Sequence, residues 1–151
     1  IAVTVLNEHG VLSRISGLFS GRGYNIESLT VAPILDSNLS RITIATKGDN
    51  KVLEQIIKQL HKLIPVLKVL ENEQMIEQES LLVKFGLESN LSEISAIFGA
   101  FNGRLLEVND KCAIFVACDT HTRINTLLNA LKTHKPKDIT RSGILAIETN
   151  N

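Results

Sequence analysis

The chain has 151 residues, 16 basic and 16 acidic side chains, no formal net charge and 44% hydrophobic residues. That suits one compact globular domain or two small ones, and it excludes a nucleic-acid grip built mainly on phosphate contacts, which needs a basic surplus. No apolar run approaches the roughly 20 residues of a membrane span, and no secretory leader pattern is visible, so secretion has no support.

The chain starts at Ile1 rather than methionine, so a few leading residues are expected to be missing. Ile1 to Leu6 is β-branched and unbroken, and reads as a strand. Asn7 to Gly10 is a loop. Val11, Leu12, Ile15, Leu18 and Phe19 then recur at helical spacing, closed by Gly21-Arg22-Gly23. Asn25 to Ala32 and Leu39 to Thr46 read as strands around a turn. An amphipathic helix follows Gly48-Asp49-Asn50, with Val52, Leu53, Ile56, Ile57, Leu60 and Leu63 on its apolar face. Pro65 ends it, and Val66 to Leu70 is a fourth strand, giving the order βαββαβ.

A polar, acidic stretch at 72–79 reads as a linker between a domain at 1–71 and a second at 80–151. The second half repeats the plan. Leu81 to Leu87 is a strand, Leu91 to Phe101 a helix, Arg104 to Val108 and Ala113 to Cys118 strands, Arg123 to Leu131 a helix and Gly143 to Ile147 a strand. Leu12 to Phe19 (LSRISGLF) aligns with Leu91 to Phe98 (LSEISAIF) at an offset of 79, with five of eight positions identical. Duplication explains that match best. The fold class is therefore α+β, two tandem ferredoxin-like βαββαβ domains.

Each half is near the size at which a lone core is marginal. Thr4, Ser28, Thr30 and Thr43 fall on otherwise apolar strands, where small residues suit a covering sheet or a second subunit. Association through sheet edges or faces as a symmetric dimer is expected. Six aromatics imply an aliphatic core. Cys112 and Cys118 are six apart in a strand, so they share a face, and they are expected to be buried free thiols in a reducing cytoplasm.

Catalytic patterns are absent: there is no G-x-S-x-G, H-E-x-x-H or P-loop, and His9, His61, His121 and His134 lie in unrelated contexts. His61 reads as a solvated helix-face residue. The informative segment is the first strand-to-helix turn. A helix amino end presents unpaired N–H groups and positive potential, which suit a carboxylate. Gly10 lets backbone approach a ligand, and the Asn7 amide offers an acceptor for an ammonium and donors for a carboxylate. Those are the two charged ends of a free amino acid, although a plain glycine turn explains the same residues. Asn25, beside Tyr24, is a turn-closing residue or a group that reaches a partner's ligand.

Asn7 to Arg14 (NEHGVLSR), Leu18 to Val31 (LFSGRGYNIESLTV), Leu39-Ser40-Arg41 and Gln55 to Leu63 closely resemble the regulatory, or small, subunit of acetolactate synthase, also called acetohydroxyacid synthase. Leu82-Val83-Lys84 and Arg141-Ser142-Gly143 extend the resemblance over nearly the whole chain. It implies an N-terminal ACT domain at 1–71, an amino-acid sensor and dimerisation module, followed by a second ferredoxin-like domain. It implies a non-catalytic chain that binds and activates the thiamine-diphosphate-dependent large subunit. It also implies feedback inhibition by valine or another branched-chain amino acid bound between ACT domains of two chains. Carried across by residue, effector binding falls to Asn7, Gly10 and Val11, with Asn25 and Ile26 reaching in from the neighbouring chain. No cofactor or metal is expected here; thiamine diphosphate, magnesium and FAD belong to the catalytic subunit. Departures from the family pattern are His9 in the loop, Gln78 where an arginine commonly stands, and a short 87–91 connection.

A stand-alone phosphatase of this fold would need an arginine–asparagine site on these loops, and an RNA-binding module would need stacking aromatics on its central strands. Neither is visible. The remaining alternative is an ACT-domain sensor that serves another biosynthetic enzyme.

Overall fold

The computed structural model describes residues 1–71 and 74–150. Contacts divide the chain into two units, one of 1–76 with 144–151 and one of 77–143.

The first unit contains β1 (Ala2–Leu6), α1 (Val11–Gly21), β2 (Ile26–Pro33), β3 (Leu39–Thr46), α2 (Asn50–His61) and β4 (Val66–Leu70). Its antiparallel sheet has the order β2-β3-β1-β4. Alternation sends Val3, Val5, Ile42 and Ile44 to one face, where they meet Val11, Ile15 and Phe19 of α1 and Ile56 and Leu60 of α2. The end of α1 is set by glycine. Gly23 takes φ +71°, and the N–H groups of Gly23 and Tyr24 donate to the Ser20 and Phe19 carbonyls at 3.2 and 2.9 Å. This satisfies the carbonyls that the helix end would otherwise orphan. Helix α2 starts on Asp49, whose carboxylate accepts from the Val52 N–H at 2.9 Å.

The second half of the chain repeats the order with β5 (Met75–Gly86), α3 (Leu91–Gly99), β6 (Arg104–Val108), β7 (Cys112–Asp119), α4 (His121–Leu131), a 3-10 turn at Lys132–His134 and β8 (Asp138–Glu148), the first two residues of β5 and the last five of β8 falling in the first unit. The sheet order β6-β7-β5-β8 is the same topology. Ile15 and Phe19 of α1 and their counterparts Ile94 and Phe98 of α3, each 79 residues on, are all fully buried. The internal match therefore occupies equivalent core positions.

Several expectations need correction. β5 begins at Met75, so residues 75–79 of the expected linker are strand, and residues 72 and 73 lie outside the described residues. The acidic composition of 75–79 reads as linker, but this stretch opens the central strand β5, and Glu79 stands opposite Asp119 and is buried among basic partners. β8 likewise begins at Asp138, five residues before the expected Gly143. The core is mainly aliphatic only in the first unit, where Phe19 is the buried aromatic. In the second, Phe85, Phe98 and Phe115 form an aromatic cluster with ring centroids 4.9 to 6.5 Å apart. Cys112 is half-buried and Cys118 exposed. They do share a face, but Ala113, Phe115, Ala117 and Asp119 take the helix-covered side of β7 and leave the cysteines on the other.

Candidate functional site

Two hydrogen bonds fix the end of β1. The Leu6 N–H donates to the Pro65 carbonyl at 2.9 Å, and the Asn7 N–H to the Asn38 carbonyl at 2.8 Å. The chain then turns through exposed Asn7, Glu8 and His9 to Gly10, the N-cap of α1, at φ +82° and ψ −2°. A residue with a Cβ is strained in that conformation, and the space around Gly10 is open, with no atom within 4 Å of a built Cβ. Side chains cap the amino ends of the other three α-helices: Asp49, Asn90 and Thr120 accept from the N–H three residues on. Helix α1 has no side-chain cap. Its amino end keeps partial positive charge and open donors beside the exposed Asn7 amide.

The five residues expected at an effector site divide into two groups. Asn7, Gly10 and Val11 lie together, although the Val11 side chain is 4% exposed and packed in the core, so only its backbone faces the loop. Asn25 and Ile26 stand at the start of β2. Ile26 pairs with Thr46, and the Asn25 carbonyl accepts from the Thr46 hydroxyl at 2.7 Å. Asn7 lies instead beside Asn38, which precedes the opposite end of β3. Eight residues of strand separate those ends, roughly 24 Å at the usual rise. One chain therefore cannot bring both groups to one small ligand.

Sequence reasoning missed a second cluster. The Glu79 carboxylate, 2% exposed, accepts from Arg141 Nε and, at 3.0 Å, from Arg141 Nη2, and lies 2.7 Å from His121 Nδ1. Asp119 accepts from Arg123 Nε at 2.6 Å and from the Thr120 N–H at 2.8 Å. The Arg123 guanidinium also reaches the Ala100 carbonyl and lies 4.9 Å from the Phe101 ring centroid. Burial alone would raise the Glu79 pKa, but the Arg141 and His121 hydrogen bonds outweigh it and hold the carboxyl below its ordinary range. The Arg123 hydrogen bond does the same for Asp119 against the opposing effect of burial. The available signal was local: Asp119 and Arg123 have the i, i+4 spacing of a helical ion pair. Nothing local joins residues 79, 121 and 141.

Among the described residues, no three His, Cys, Asp or Glu side chains converge in a way that could hold a metal ion, and no helix is long and apolar enough to cross a membrane.

Two family models match the chain: the ACT domain of acetohydroxyacid synthase small-subunit type over residues 1–68, and the small subunit of acetolactate synthase over residues 78–150. The acetolactate synthase small subunit of Buchnera aphidicola subsp. Baizongia pistaciae is 42% identical over 154 residues, covering 99% of this chain and 97% of the relative. The isozyme 3 small subunit of Escherichia coli is 42% identical over 151 residues, covering 97% and 93%. The crystal structure of the Thermotoga maritima small subunit superposes with a TM-score of 0.85 at 32% identity, covering 99% of this chain and 96% of that one. With its two βαββαβ units and an ACT domain first, the chain belongs to the acetolactate synthase small-subunit family.

Proposed function

We propose that this chain is the non-catalytic regulatory subunit of a cytoplasmic acetolactate synthase. It activates the large subunit, which carries thiamine diphosphate, magnesium and FAD, and confers feedback inhibition by a branched-chain amino acid, valine first. Residues 1–71 bind the effector and dimerise, and the second domain follows, with β5 as its first strand. The observation that supports this reading is the uncapped, glycine-led amino end of α1 beside Asn7, with Asn25 and Ile26 at the far end of the same sheet.

A two-fold axis resolves that separation. β2 is an edge strand, and two copies of it paired antiparallel set the Ile26 end of one against the Pro33 end of the other. The Pro33 end is the one that carries the β1–α1 loop. The effector carboxylate then meets the α1 amino end, its ammonium meets amide oxygen, and the second chain supplies Asn25 and Ile26.

A bound effector adds charge-assisted contacts across the dimer, and it inhibits only if the dimer geometry it favours activates the catalytic subunit less. Such couplings are typically about 1–3 kcal/mol. Calorimetric titration of the chain with valine, leucine and isoleucine, with and without the catalytic subunit, tests the reading. Saturable binding of one of them is expected; a chain that stays monomeric and binds none overturns it.

A further inference from the structure

Two aliphatic side chains stand out from the rest of the surface. Leu35 is 87% exposed and Ile64 88%, and no other large hydrophobic among the described residues exceeds 64%. Leu35 is in the β2–β3 turn and Ile64 in the α2–β4 turn. Both turns are bonded to the end of β1. The Asn7 N–H meets the Asn38 carbonyl on one side, and the Leu6 N–H meets the Pro65 carbonyl on the other. The strand order puts β3 and β4 on either side of β1, so the two turns flank the loop that carries Asn7 and Gly10.

That loop is built for the charged ends of an amino acid and has little with which to read an aliphatic side chain. Residues 7–10 offer only polar side chains and the Gly10 backbone, and Val11 is packed into the core. Leu12, on the first turn of α1, is partly exposed, but further apolar cover must come from outside this segment. The β2–β3 turn presents it. Three hydrogen bonds pin that turn: the Ile34 N–H donates to the Leu39 carbonyl at 2.8 Å, the Ser37 hydroxyl to the Ile34 carbonyl at 2.9 Å, and the Leu39 N–H to Ser37 Oγ at 3.2 Å. Leu35 is thereby held out in water, where apolar contact with a ligand is favourable and displaces only solvent.

Of the two exposed residues, Leu35 is on the edge-strand side. It stands two residues past Pro33, and antiparallel pairing of two β2 strands brings Ile26 of a second copy to that end. Ile64 lies across β1, away from this edge.

We propose that Leu35 is a specificity-determining residue of the effector site: with Ile26 of the second copy, it closes on the branched side chain of an amino acid whose charged ends the β1–α1 loop holds. This deepens the effector reading above and rests on it.

The test uses the full chain with its catalytic subunit, titrated calorimetrically with valine and with alanine. Alanine shares the charged ends but lacks both methyl groups of valine. Wild type is expected to prefer valine. Leu35→Ser should weaken valine binding about fourfold, the worth of one buried methylene, and leave alanine binding unchanged. Leu35→Met should keep the preference. Ile64→Ser removes an equally exposed side chain on the other flank and should match wild type. An unchanged preference in Leu35→Ser overturns this inference alone. So does an equal loss for both ligands, which would make Leu35 a dimer or structural contact, or the same selective loss in Ile64→Ser. A wild-type complex that binds neither amino acid defeats the effector reading, and this inference falls with it.

Discussion

Glu79 on β5 lies directly opposite Asp119 on β7, so the second unit buries two carboxylates as cross-strand neighbours. Like charges in that position repel. The arrangement persists because each carboxylate has its own guanidinium: Arg141 comes from β8 to Glu79, and Arg123 from the next turn of chain to Asp119. His121 completes the set. Its Nδ1 is 2.7 Å from Glu79 and 3.2 Å from Arg141 Nη2, so the shorter contact assigns the proton to Nδ1, donating to the carboxylate.

Acid should therefore loosen the second unit. Both carboxyls titrate below their ordinary values of 4.5 and 3.8. Their contribution is complete above those ordinary values and disappears as pH falls through the lower folded-state ones. Melting temperature is expected to be insensitive to these groups near neutrality and to fall below about pH 4.5, with a shallower fall in Glu79→Gln. Thermal scans across pH 3 to 7 check it, and an equal slope in that variant would refute the assignment.

Arg141→Met removes the main partner of a buried carboxylate and is expected to cost about 3 kcal/mol in urea unfolding. Adding Glu79→Gln should return much of that loss, because the uncompensated charge goes with it. Two losses that simply add would mean the pair is not coupled.

Gly10→Asp should abolish valine inhibition while activation survives. Open space around the Cβ lets the fold accept the residue at a left-handed strain of about 1–2 kcal/mol, and the new carboxylate repels that of the effector. Inhibition curves measured with the catalytic subunit decide this. Full sensitivity to valine would place the effector elsewhere.

Mixed dimers test the two-chain site. Asn7→Ala and Asn25→Ala should each lose effector binding alone. When the two are combined in one heterodimer, one site is doubly damaged and the other intact. About half the binding capacity should return in calorimetry, and no recovery would contradict a shared site.

Phe98→Ala should cost about 3–5 kcal/mol, since the ring is fully buried between Phe85 and Phe115. Urea titration measures it. A loss below 1 kcal/mol would mean that the aromatic cluster collapses into the space.

The sequence alone carried the βαββαβ plan, because apolar period and glycine punctuation are local: β3 and β4 begin and end where alternation and Pro65 put them. The effector-loop residues were legible for the same reason, since a glycine before a helix start is a local signature. Only the tertiary structure decided that Asn7 and Asn25 stand at opposite ends of a strand, that the Arg41 Nε is shut from solvent without an acceptor, and that Glu79 meets Arg141 across 62 positions. Strand register and long-range ion pairs depend on which segments pack together, and polar residues in a strand look like linker until their partners arrive. Local propensity is written residue by residue, but the satisfaction of a buried charge is a property of the folded whole.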